Sequence, residues 1–159
     1  SLETYIKTGH RASLPDKLPE EMLSARAGTF VSLKKDGLLR GCIGTIEPAQ
    51  PNVAEEILQN AVSAAVRDPR FDPVQPEELE DLVYSVDVLG KPEPVESEKQ
   101  LDAKKYGVIV ENGRRRGLLL PNLAGVDTPS QQVAIARKKA DIGPYEPVHL
   151  QRFKVVRHK

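Results

Sequence analysis

The chain has 159 residues, 39% of them hydrophobic, which is enough for one compact domain with a core and too few for two independent ones. Its 23 Lys and Arg balance 23 Asp and Glu, so no net field gathers a polyanion or an anionic membrane surface, and tight nucleic-acid binding is disfavoured. No run approaches the roughly 18 apolar residues of a membrane span, no basic-then-apolar leader opens the chain, the lone Cys42 has no disulfide partner, and His10, His149 and His158 fit no zinc spacing; the expectation is a soluble cytoplasmic protein without a metal site.

Ser1 to Lys7 reads as the last turns of a helix stopped at Thr8-Gly9, so the chain is expected to begin inside that helix. After a Pro-punctuated link from Ser13 to Pro19, residues 28–33 and 38–46 are β-rich runs joined by Asp36-Gly37, a two-residue hairpin signal. Asn52 with Glu55 forms a cap pattern, and Val53, Ile57, Leu58, Ala61, Ala64 and Ala65 recur at helical spacing to about Arg67. Asp68-Pro69-Arg70-Phe71-Asp72-Pro73 breaks this helix, and 82–89 reads as a strand followed by a polar connection over 91–100. A second hairpin spans Tyr106 to Leu120 around Asn112-Gly113, Thr128-Pro129-Ser130-Gln131 caps a helix to about Ala140, and 149–156 forms a final strand.

The two hairpins share a pattern. Asp36-Gly37-Leu38-Leu39-Arg40-Gly41 matches Asn112-Gly113-Arg114-Arg115-Arg116-Gly117, and Arg40 and Arg116 each precede a helix cap, Asn52 and Thr128, by twelve residues. The common offset implies an internal duplication of a hairpin–helix–strand unit, hence an α+β fold of two approximate halves, 1–100 and 101–159, sharing one core. Arg-Gly recurs in both copies and suits the scaffold, whereas the place of Cys42 is taken by Leu118, so the fold does not require a thiol.

The runs Gly28-Thr29-Phe30-Val31-Ser32-Leu33 and Leu39-Arg40-Gly41-Cys42-Ile43-Gly44-Thr45 closely resemble the signature of the AMMECR-type domain family, also known as AmmeMemoRadiSam system protein A. The similarity continues through Asp68-Pro69-Arg70-Phe71, Val86-Asp87-Val88-Leu89, Pro92-Glu93-Pro94, Tyr106-Gly107-Val108 and Arg116-Gly117-Leu118-Leu119-Leu120-Pro121, nearly the whole chain. The resemblance implies an α+β fold of two subdomains around a cleft, with the Arg-Gly-Cys-Ile-Gly segment beside it. It brings no settled reaction, but the family name associates such proteins with a Memo-like protein and a radical S-adenosylmethionine protein as partners in one pathway. The chain departs from many relatives in lacking tryptophan, notably near Gly125 to Thr128.

In a regular strand Arg40 and Cys42 face the same way with Cα atoms about 7 Å apart. At that distance a cation favours the thiolate by on the order of 2 kcal/mol before screening. Cys42 is therefore a candidate nucleophile with Arg40 as its electrostatic partner, and Gly41, Ile43, Gly44 and Thr45 are candidate ligand neighbours, the glycines allowing close approach. The alternative is a small apolar cysteine in the core, with the glycines admitting the helix. Asp68 and Arg70 could supply an acid or an anion anchor from the loop, or form a salt-bridged helix stop; Arg116 is a further candidate cleft residue, although a solvated turn is the default reading of its basic run Arg114-Arg115-Arg116. Neither a cofactor nor a general base is assigned. Two readings stay open: a thiol-dependent enzyme or enzyme component acting on a small molecule, and a non-catalytic ligand-binding or protein-docking module.

Overall fold

The computed structural model describes residues 2–123 and 125–158. They form two compact units, 1–89 with 156–159, and 90–155, so the boundary falls at Leu89/Gly90 and the last residues return to the first unit. Each unit has its own cluster of buried apolar side chains. Leu2, Val31, Leu33, Ala61, Ala64, Ala65, Val74, Leu79 and Leu82 form one. Val108, Val110, Leu119, Val126, Val133, Ala136, Ala140 and Ile142 belong to the other.

In the first unit, helix α1 (Leu2–Thr8) and a short α2 (Glu20–Ser24) precede strands β1 (Thr29–Lys35) and β2 (Leu38–Gly44). Positive φ at both Asp36 and Gly37 gives the reversed turn that matches strand twist, with Lys35 opposite Leu38. Helix α3 (Val53–Val66) starts where the Asn52 side chain accepts the Glu55 N–H, and its alanine face packs on β1 and β2. A 3₁₀ segment, Pro76–Asp81, leads into β3 (Leu82–Leu89). In the second unit, β4 (Glu93–Val95) is followed by β5 (Gly107–Asn112), β6 (Arg115–Leu119), α4 (Pro129–Lys139) and β7 (His149–Phe153). Strand β8 (Val155–His158) then joins the first sheet.

The sheets are ordered β2-β1-β3-β8 and β4-β7-β5-β6. Read from the hairpin edge, both run second hairpin strand, first hairpin strand, strand after the helix, and a short fourth strand; β4 follows β3 in the chain but pairs with β7, while β8 follows β7 but stands beside β3. The expected continuous strand over 149–156 is thus two strands parted at Lys154, because the chain changes sheets there. The 91–100 connection likewise contains β4, whose three residues are too few for an alternation signal.

The hairpins differ by one residue. In the second, Asn112 pairs with Arg115, so the turn is Gly113-Arg114 and not Asn112-Gly113, and the register runs on evenly to Val110 opposite Gly117. In the first, Lys34 pairs with Leu39 but Leu33 with Gly41, so Arg40 is the extra residue of a β-bulge. The bulge cancels the shift between the turns. Gly41 and Gly117 reach equivalent places, where a Cβ would collide with the carbonyl oxygens of Ala64 and Ala136 respectively. The repeated Arg-Gly pattern therefore has a packing cause: only glycine lets α3 and α4 lie that close to their sheets.

Candidate functional site

Side chains alternate across a strand, and directly paired residues share a face. Val31 and Leu33, buried against α3, are paired with Ile43 and Gly41, so these four look inward. Ser32 and Cys42 form the next pair and look outward, with the Cys42 Sγ 3.3 Å from the Ser32 Oγ. Continuing the register of the turn without a bulge would place Cys42 opposite Val31, facing the helix. The bulge at Arg40 turns it to the other face, where it is half-buried. The equivalent pair in the second sheet is Ile109 with Leu118, both buried and apolar. One sheet position thus carries an aliphatic pair in one unit and a hydroxyl–thiol pair in the other.

Among the described residues no strand neighbours the outer edge of β2, and the Asp68-Pro69-Arg70 loop occupies it at one residue. Asp68 Oδ2 accepts the Cys42 N–H at 3.0 Å, and Arg70 Nη2 donates to the Cys42 carbonyl at 3.4 Å. Donor and acceptor of Cys42 are both engaged, as a paired strand would engage them, which blunts the edge. The loop is held by a forked pair: Arg70 Nε and Nη2 lie 3.0 and 2.7 Å from the two Asp68 oxygens, and the Arg70 N–H donates to Oδ1 at 3.1 Å. Arg70 holds the Asp68 carboxyl well below the ordinary carboxylate range, against the opposing effect of burial and with help from the Cys42 N–H. The Arg70 pKa is raised, first by that hydrogen bond, with burial opposing and the charges of Asp68 and Cys42 adding to the rise. Its side chain is 56% exposed against 2% for Asp68, and its guanidinium carbon lies 5.4 Å from the Phe71 ring centroid.

Arg40 serves a different carboxylate. Its Nε and Nη2 each lie 3.0 Å from an oxygen of Glu78, which also binds Lys35 Nζ at 3.2 Å and accepts the Gln75 N–H at 2.9 Å. Glu78 titrates at about 2, lowered by Arg40 first and then by the Gln75 N–H. The cation expected beside the thiol is therefore not Arg40, whose guanidinium the bulge sends to the 3₁₀ segment; Arg70 is the arginine that bonds to Cys42. No spacing rule links residue 78 to residue 40, and Ser32 could be paired with Cys42 only by knowing of the bulge.

Of the remaining candidates, Ile43 packs against the first core, and Gly44 makes room for the Phe30 ring. Thr45 donates its hydroxyl to Glu56 at 2.7 Å and accepts from Asn60 at 3.2 Å. Glu56 is buried and also accepts the N–H groups of Ala49 and Gln50 at 2.9 and 2.8 Å, so it organises the segment after β2. No cap, spacing or motif in the sequence sets Glu56 and Asn60 apart from the other residues of α3. Arg116 belongs to the second unit, facing Glu111 with Nε 3.9 Å from its carboxylate. The structure thus gathers Cys42, Asp68 and Arg70, assigns Arg40 to Glu78, and gives Gly41, Ile43, Gly44 and Thr45 packing or network roles. Among the described residues no three His, Cys, Asp or Glu side chains are grouped to hold a metal, and no helix is long and apolar enough to cross a membrane.

Fold and site together define a mixed α+β protein of two antiparallel sheets with a half-buried thiol on an edge strand. The chain belongs to the AMMECR1 family, whose model matches residues 1–158. It is 52% identical to a Thermotoga maritima protein over 99% of this chain and 92% of that one. A Clostridium acetobutylicum protein is 53% identical over 100% of this chain, which spans only 34% of that relative. Among solved structures, the uncharacterized protein PH0010 from Pyrococcus horikoshii superposes with a TM-score of 0.89 at 34% identity, covering 98% of this chain and 84% of that one.

Proposed function

We propose that this is a cytoplasmic thiol-dependent enzyme, or enzyme component, acting on a small molecule, with Cys42 as nucleophile or covalent carrier and Arg70 in place of Arg40 as the neighbouring cation. The observation that carries the reading is the contrast between equivalent pairs: Ile109–Leu118 is sealed and apolar, whereas Ser32–Cys42 is polar and half-buried. A purely structural position would keep the aliphatic pair, since a hydroxyl in an apolar site lowers stability unless bonded. The Asp68–Arg70 pair engages both the N–H and the carbonyl of Cys42, which fixes the backbone from which the sulfur projects. Cations near a thiol favour the thiolate, the attacking form.

The family resemblance suggests a Memo-like protein and a radical S-adenosylmethionine protein as partners in the same pathway. A second reading, a non-catalytic ligand-binding or docking module, draws on the Clostridium relative, about two thirds of which lies outside the match. A domain of this kind is there joined to a longer chain. Alkylation of Cys42 by iodoacetamide at neutral pH, followed by intact mass in folded and urea-denatured protein, separates the two. The enzyme reading expects the folded thiol to react faster than the denatured one and to slow several-fold in Arg70→Gln. A folded thiol inert under conditions where the denatured one reacts would give the docking module precedence.

A further inference from the structure

The second unit carries a concentration of positive charge that the fold does not neutralise. The guanidinium of Arg152 lies 4.4 Å from the centroid of the Tyr106 ring, Lys105 Nζ 5.2 Å and Lys154 Nζ 5.9 Å. Beside them is a cavity of about 250 Å³ lined by Gly90, Lys91, Glu93, Tyr106, Phe153 and Lys154. The topology builds it. Lys91 lies between β3 and β4, Lys154 between β7 and β8, and the Gly90 N–H donates to the Lys154 carbonyl at 2.7 Å, so the two crossover segments run side by side. The Phe153 ring lies over Gly107, where any Cβ would strike it, and is itself 1% exposed, so the half-buried Tyr106 ring is the apolar surface the cavity offers.

Four cations here stand beside two carboxylates, Glu93, which Arg152 already engages at 3.2 Å, and Asp102, which accepts the Lys105 N–H at 3.3 Å. Among the described residues the ammonium groups of Lys91, Lys105 and Lys154 make no ion pair, whereas the neighbouring Lys104 pairs with Asp127. In a chain of zero formal net charge this is local excess and not a general basic surface. The ring faces of Tyr106 moderate the repulsion without cancelling it. Arg152 is committed, with Nε on Glu93 and Nη1 donating to the Gln100 carbonyl at 2.8 Å, so the available groups are ammonium ions. Such point charges with rotatable donors suit a multi-oxygen dianion better than a planar carboxylate, which a free arginine fork would match. The volume lies below the usual roughly 300–1,000 Å³ of ligand pockets, which favours a small molecule over a nucleotide.

We propose that this cavity binds a small phosphate monoester, with its phosphate on Lys91 and Lys154, Lys105 adding long-range attraction, and its carbon portion beside Tyr106. The site lies wholly in the second unit and does not depend on the reading of Cys42. Calorimetric titration of the whole chain with inorganic phosphate and with glycerol 3-phosphate tests it. Both should bind, the ester more tightly. The exposed lysines of a Lys91→Gln/Lys154→Gln variant should leave the thermal midpoint unchanged while weakening both ligands about tenfold or more. Tyr106→Leu should abolish the preference for the ester, and Lys138→Gln on α4 should change nothing. No saturable heat at millimolar ligand, or binding indifferent to the double variant, would overturn the proposal. A response confined to a single-stranded oligonucleotide and falling steeply with salt would overturn it too, in favour of a nucleic-acid surface.

Discussion

Replacing Glu78 by Gln removes a charge that two cations and a backbone N–H converge upon. Arg40 and Glu78 are 16% and 17% exposed as side chains, so solvent screens their pair only partly. A fall in the Glu78 pKa from 4.5 to about 2 corresponds to about 3 kcal/mol of stabilisation at pH 7. The sign follows from the direction: the folded value is depressed, so the stabilisation is complete above the unfolded value of 4.5 and is lost as pH falls towards about 2. At pH 3 the same linkage leaves about 1 kcal/mol. Urea denaturation of wild type and Glu78→Gln should therefore show a stability difference that narrows by about 2 kcal/mol between pH 7 and pH 3. A difference that stays constant across that range would refute the Arg40–Glu78 assignment, because loss of packing or of a neutral hydrogen bond does not titrate.

Gly41→Ala and Gly117→Ala should each lower stability by about 1–3 kcal/mol in thermal melts, since both push a methyl group into a helix carbonyl; an effect at one position only would argue against equivalent packing in the two units. Asp68→Asn should cost about 2 kcal/mol at pH 7, a loss that shrinks below the ordinary aspartate value of 3.8 because the folded carboxylate is depressed, and native-state hydrogen exchange should show the Cys42 amide less protected. Glu56→Leu removes the acceptor of the Thr45 hydroxyl and of two backbone N–H groups, and about 3 kcal/mol should disappear from the urea stability; proteolysis should then cut first near residues 45–50.

The elements were legible where local chemistry is strong. Asn52 and Thr128 cap α3 and α4 as their Glu55 and Gln131 partners indicate, Asp36-Gly37 makes the first hairpin turn, and 82–89 is a strand end to end. The elements that escaped, α2, the 3₁₀ segment and β4, are too short for periodicity to register, and the break at Lys154 belongs to a change of sheet and not to any local signal.

The sequence by itself determined the family signature, the recurrence of Arg-Gly in two hairpins and the position of the sole thiol, because these depend on residue identity and short spacing. Which way that thiol faces was a tertiary matter. A single extra residue at Arg40 reverses every side chain beyond it, and whether a strand bulges there depends on α3 closing over Gly41 and on Glu78, distant in sequence, receiving the displaced guanidinium. Likewise the pairing of Cys42 with Ser32 and its clamp by Asp68 and Arg70 follow from which edge of the sheet was left without a neighbour, a property of strand order that no local window contains.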